Sequence, residues 1–142
     1  MILTARDITL ACNLTQVAAL HQFVMQVCND LHIDRHVASQ LDLALEEAVV
    51  NVINYAYNAP DAADATVQVQ AQCDGKALQF TVIDSGKPFD PTLVPDTDIT
   101  LDAASRPVGG LGIHIVRHSV DQMAYSRENG KNVLKLTKLI AN

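Results

Sequence analysis

Two long amphipathic stretches stand together near the start of the chain, and the strand-like runs after them are joined in pairs by turn signals. That order constrains the fold more than any other feature. Val17, Leu20, Phe23, Val24, Val27 and Leu31 recur at helical spacing after Thr15, a candidate N-cap. Asp34 can cap a second helix whose apolar stripe runs from Val37 through Leu41, Leu45 and Val49 to Ile53. Asn58-Ala-Pro60 should stop it, because proline has no N–H to give. The remaining runs alternate at period two. Ile2 to Leu14 precedes the helices; Thr66–Cys73 and Ala77–Ile83 flank Asp74-Gly75; Met123–Arg127 and Asn132–Leu139 flank Glu128-Asn-Gly130. Leu111 to Val120 is helical by pattern. The order β-α-α-β-β-loop-α-β-β lacks the strict alternation of a doubly wound fold. It predicts an α+β two-layer sandwich: a mostly antiparallel mixed sheet with helices on one face, forming a single domain over residues 1–142.

The segment Asp90 to Val108 is different in kind. It holds three prolines, four aspartates and little periodicity. A loop of that length in a domain of this size reads as a functional lid or as a partly disordered stretch.

Composition narrows the function classes. A net charge of −6 and a pI near 5.1 make nucleic acid an unexpected partner, since such a surface repels phosphate backbones. A local nest of N–H groups can still hold the phosphates of a small ligand. Cys12, Cys28 and Cys73 are odd in number and lack C-x-x-C spacing, as expected of reduced thiols in a cytoplasmic protein. Nothing at the N-terminus resembles a signal peptide, and no apolar run reaches the ~18 residues of a membrane span.

Three short motifs carry chemistry. Glu47 and Asn51 lie one turn apart on the same face of the second helix. An amide oxygen is a suitable single protein ligand for Mg²⁺, which takes hard oxygens and keeps waters and phosphate oxygens for the rest. Glu47 is then placed to take a proton from a nucleophile. Glu46 points about 100° away around the helix, and Asn54 falls toward the same cleft as Asn51. Asp84-Ser-Gly86 closes a strand. Its carboxylate can accept from the amino group of adenine, and Gly86 lets backbone approach the ring. The same tripeptide after apolar residues also surrounds aspartic protease carboxylates, but that fold is almost all β. Gly109-Gly110-Leu-Gly112 then opens a helix whose free N–H groups can hold phosphates. No Gly-Lys-Ser/Thr follows, so it is not a Walker A loop. The pairs His32/His36 and His114/His118 have helical spacing but no evident third metal ligand, so they read as surface or cap residues.

Taken in order, these motifs resemble the GHKL ATPases, and within them the anti-sigma factor serine/threonine kinases. Glu47-Ala-Val-Val-Asn51 is similar to the family's N box. Asp84-Ser-Gly86-Lys-Pro-Phe89-Asp-Pro91 is similar to its adenine box, and Gly110-Leu-Gly112-Ile-His-Ile-Val116 to its second glycine box. Asn129 to Leu136 looks like the closing hairpin. The resemblance implies a Bergerat-type site for ATP and Mg²⁺, with Asn51 on the metal, Glu47 as base and Asp84 reading adenine. Gly86, Phe89, Gly110, Leu111, Gly112, Ile113 and Asn132, within the matched boxes, come with it as candidate nucleotide contacts. The lid would span about residues 90–108, with Arg106 as its cation for a phosphate. The implied activity is phosphorylation of a serine or threonine on a STAS-domain antagonist protein, with sequestration of a sigma factor and association as a homodimer. Two departures stand out. Family members often carry a basic residue four positions after the N-box Asn, where this chain has Tyr55, and its adenine box lacks a second glycine. Tyr55 leaves a second expectation open, a non-catalytic binding module gated by ATP.

Overall fold

The computed structural model describes residues 2–57, 64–95 and 110–140. Most of the segment expected to be a lid, with Arg106, lies outside the described residues, as do Gly109 and the stop expected at Asn58–Pro60.

The chain begins with β1 (Ile2–Ala11) and continues into α1 (Val17–Asp30) and α2 (Arg35–Asn51). β2 (Thr66–Asp74), β3 (Ala77–Asp84), α3 (Gly110–Ser119), β4 (Gln122–Glu128) and β5 (Lys131–Leu139) follow. β1 stops three residues short of the alternating run. Asn13, not Thr15, is the cap: its side chain accepts from Thr15 N at 2.9 Å and opens a 3₁₀ turn, Leu14–Gln16, that leads into α1. Asp34 caps α2 as its position predicts, accepting from His36 N and Val37 N. His32 ends α1 in a left-handed conformation, φ 54°, while His32 N and Ile33 N close on Asn29 O and Cys28 O. It is a helix-terminating residue, as one of the two readings of the histidines had it.

The strands form one sheet in the order β1-β2-β3-β5-β4, and every pairing is antiparallel. The mostly antiparallel sheet that the sequence predicts forms, with no parallel pair among the described residues, and the connections explain why. Two helices between β1 and β2 return the chain to the end it left, so β2 runs back along β1. One helix between β3 and β4 makes those two strands run the same way, but β5 inserts between them and pairs antiparallel with both. Both tight turns have the residues their geometry demands. Gly75 has φ 96°, and Asn129 and Gly130 have φ 52° and 76°, the signature of a two-residue hairpin loop.

The helices lie on one face. Val67, Val69, Ala71 and Cys73 of β2 join Leu78, Phe80 and Val82 of β3 in a single buried cluster with Leu20, Val24 and Val27 of α1 and Leu41, Leu45 and Val49 of α2. The alternate residues of β2, Gln68, Gln70 and Gln72, face the other side, as the period-two pattern requires. Among the described residues no helix is long and apolar enough to cross a membrane.

Candidate active site

A cavity of about 320 Å³ opens between α2, α3 and the helix-facing side of β3, β4 and β5. Its wall is mostly apolar, with Ala48, Val52, Val82, Ile113, Val116 and Leu134, and a few polar groups converge on it from opposite ends.

One end is built on the sheet. Asp84 closes β3 and is 6% exposed. Its Oδ1 accepts from Gly86 N at 2.9 Å and from Asn132 Nδ2 at 3.0 Å. Oδ2 has no partner among the described residues, so a buried acceptor is left over. Gly86 is required by close approach: a Cβ there would lie 2.3 Å from Ala56 O. The adjacent Lys87 N donates to that same carbonyl at 2.8 Å. Tyr57 ties the turn from behind, its hydroxyl accepting from Ser85 N and donating to Thr66 O. Burial raises the Tyr57 phenol and the Cys12 thiol, and the Asp84 carboxylate adds to both shifts. Arg127 of β4 completes the collar by donating to Gly86 O at 2.8 Å.

The other end is built between helices. Gly112, in the first turn of α3, faces α2 so closely that a Cβ there would lie 2.7 Å from Glu47 Oε2 and 3.3 Å from Asn51 Nδ2. Neither Glu47 nor Asn51 makes a side-chain hydrogen bond among the described residues. Burial raises the Glu47 pKa, and the neighbouring Glu46 charge raises it further. A carboxylate tuned upward is a better proton acceptor near neutral pH. After Asn51 the helix widens into a π turn, Val52–Ala56. Such turns re-aim side chains at functional sites, and this one brings Val52, Tyr55 and Ala56 to the cavity wall.

The sequence-based assignments fare unevenly. The fold brings Asn51, Asp84, Phe89, Ile113 and Asn132 to the cavity wall and sets Glu47 and Asn51 against Gly112. Asn54 is exposed and absent from the wall, because the π turn carries Tyr55 there instead. Leu111 is 41% exposed and also outside the wall; Ile113, two residues on, supplies the apolar contact. Asn132 lies on the wall with its amide engaged by the protein. Its Nδ2 donates to Asp84 Oδ1 and Lys87 O, and its Oδ1 accepts from Phe89 N and Tyr125 Oη. Two donors and two lone pairs are thus all engaged, and none remains for a nucleotide. Tyr57, Tyr125 and Arg127 carry no motif signal of their own, and their contacts alone place them at the site. Lys87 lines the cavity as a described cation. Among the described residues no cluster of His, Cys, Asp and Glu is arranged to hold a metal by itself.

The histidine kinase-like ATPase domain family matches the chain over residues 10–138. The chain belongs to that family. It is 29% identical over 99 residues to the serine/threonine-protein kinase BtrW of Bordetella bronchiseptica, a match that covers 68% of this chain and 67% of that protein. Its fold is similar to that in the crystal structure of the RsbU and RsbW domains of Rv1364c from Mycobacterium tuberculosis, with a TM-score of 0.69 and 16% identity. That likeness covers 99% of this chain and spans 34% of the solved one. As a histidine kinase-like ATPase domain, the chain carries an ATP site, and the cavity fits one. It offers an apolar slot for a base, a leftover buried acceptor at Asp84 Oδ2, and Asn51 on its wall with Glu47 and Gly112 in close contact beside it.

Proposed function

We propose that this histidine kinase-like ATPase domain is a serine/threonine protein kinase of the anti-sigma factor type, phosphorylating a STAS-domain antagonist and sequestering the regulator that the antagonist would release. The observation that supports it best is the pair Glu47 and Asn51 pressed against Gly112 without a side-chain hydrogen bond among the described residues, with Asn51 on the wall of the cavity that Asp84 also lines. Bound Mg·ATP supplies the transferable phosphoryl group and the cation that offsets its charge. Asp84 Oδ2 accepts from the base amine, and the apolar wall holds the ring and keeps water from it. Asn51 Oδ1 is the protein oxygen for the metal. The N-terminal N–H groups of α3 accommodate phosphates. The Glu47 carboxylate takes the proton from the acceptor hydroxyl. Arg106 is proposed as the lid cation.

The test is transfer of labelled phosphate from ATP to candidate STAS proteins, with Asn51→Ala alongside. Loss of Mg²⁺-dependent ATP binding in that variant, with the fold retained, supports the metal role; unchanged Mg·ATP affinity removes it. One observation favours a second reading. Tyr55 lines the cavity where relatives often carry a cation, as expected of a module that binds ATP to select a partner without transferring phosphate. No transfer to any STAS protein that binds the chain would decide for that reading.

A further inference from the structure

Asn132 sits opposite Asp84 in the β3–β5 register and is 6% exposed. The chemistry of its neighbours fixes the orientation of its amide. Asp84 Oδ1 and Lys87 O only accept, and both face Nδ2 at about 3 Å. Phe89 N only donates, and it faces Oδ1. Turning the amide over would set oxygen against two acceptors and NH₂ against a donor. Tyr125 Oη completes the set, donating to Asn132 Oδ1 at 2.5 Å.

From this geometry we propose that Asn132 is a positioning residue that sets the base preference of the site. With Gly86 N it occupies Asp84 Oδ1 entirely with donors. The carboxylate therefore presents Oδ2, and only as an acceptor, to whatever enters the cavity. An exocyclic amine, as on adenine, satisfies that oxygen. A 6-oxo purine would set lone pair against lone pair. Tyr125 fixes Asn132 in turn, and the Phe89 and Lys87 backbone contacts carry the loop beyond Gly86 on the same amide. This inference rests on the reading of the cavity as an ATP site.

The decisive variant is Asn132→Asp, nearly isosteric, which replaces the N–H donor by a second carboxylate about 3 Å from the first. Two carboxylates at that distance resist joint ionisation and share a proton. Among the described residues, the other charged or titratable groups around them are Lys87 on the loop, Arg127 and Tyr125 on β4, Tyr57 after the π turn, and Cys12 beyond β1. Cys12 and Tyr57 are both displaced upward and stay neutral near pH 7.

Affinities for ATP and ITP are measured by calorimetry between about pH 6 and 8.5. Dividing variant by wild-type values at each pH removes the titration of the nucleotide itself. The wild type should prefer ATP. At the alkaline end Asn132→Asp should lose roughly ten- to a hundredfold in ATP affinity and little in ITP affinity, recovering part of it as the pH falls. Tyr125→Phe, which keeps the ring and the strand, should cost a few-fold for ATP alone, and it serves as the test if Asn132→Asp does not fold. An Asn132→Asp variant equal to wild type, or a loss independent of pH and equal for both nucleotides, overturns the inference. So does an equal loss of both nucleotides in Tyr125→Phe. A wild type that binds neither nucleotide overturns the ATP reading itself, which is a separate outcome.

Discussion

The two ends of the cavity are built on opposite plans. At the end built on the sheet most polar groups are committed, and Asp84 Oδ2 is left open among the described residues. Asp84 Oδ1, the whole Asn132 amide, the Tyr57 hydroxyl and the Gly86 backbone are held by strand register and by one another. At the end built between helices Glu47 and Asn51 make no side-chain hydrogen bond among the described residues, and Gly112 packs against them. Recognition of a rigid ring rewards a rigid frame, because any looseness there reduces discrimination between bases. A group that must move a proton cannot be fully engaged beforehand. The difference teaches where variation should damage stability and where it should damage chemistry.

The largest effect should break the open end. A positioned general base contributes ~10²–10⁴-fold in rate. Glu47→Gln should lower phosphate transfer to a STAS protein by that order while ATP affinity stays near wild type. Glu46→Gln should stay within a few-fold, because the Glu47 side chain, not its neighbour's, meets Gly112. Radiolabel transfer under single-turnover conditions separates the two, and equal rates in wild type and Glu47→Gln would remove the base assignment.

The next effect tests the closed end. Asp84→Asn puts an amide where the base amine expects an acceptor. A hydrogen bond to a charged acceptor is worth ~1.5–3 kcal/mol, so ATP affinity should fall roughly ten- to a hundredfold by calorimetry. Equal binding of ATP and GTP by the wild type would count against Asp84 as the base reader.

The two glycines sharpen the comparison. In Gly86→Ala the new Cβ meets the Ala56 backbone, which cannot yield. Overpacking of this kind costs ~1–3 kcal/mol, or roughly 3–12 °C in melting temperature for a domain of this size. In Gly112→Ala the nearest atom is the tip of the Glu47 side chain, which can swing away. That variant should melt close to wild type but transfer phosphate poorly. If both variants lose stability equally, the two ends are not built differently.

The smallest expected effect is a shift in pH profile. Glu47 must be ionised to accept a proton, and burial first, then Glu46, raises its pKa. Transfer should therefore fall as pH drops through a limb lying above the ordinary glutamate range. Glu46→Gln removes the repelling charge and should move that limb to lower pH with the plateau unchanged. A limb in the same place would show that Glu46 does not tune Glu47.

Much of this was legible in the residues. The apolar stripes of α1 and α2, the Asp34 cap, the Asp74-Gly75 and Asn129-Gly130 turns and the spacing of Glu47 and Asn51 are local, and local chemistry dictates them. The departures from the local reading have local causes too. Asn13 displaced Thr15 as cap by closing its own turn, and the π turn after Asn51 moved Tyr55 to the place expected of Asn54.

By itself, then, the sequence determined the helix pair, the hairpins, the order of the boxes and the identity of the groups able to do chemistry. Only the tertiary structure decided what each group is free to do. Asp84 and Asn132 are 48 residues apart and meet because β3 and β5 pair in one register. A slip of one residue would turn Asn132 to the opposite face of the sheet and leave Asp84 Oδ1 without its side-chain donor. The need for glycine at 86 likewise arises from the Ala56 carbonyl, brought in by a turn on another element. A carboxylate's valences are set by its type, but which of them remains open depends on neighbours that only the folded chain supplies.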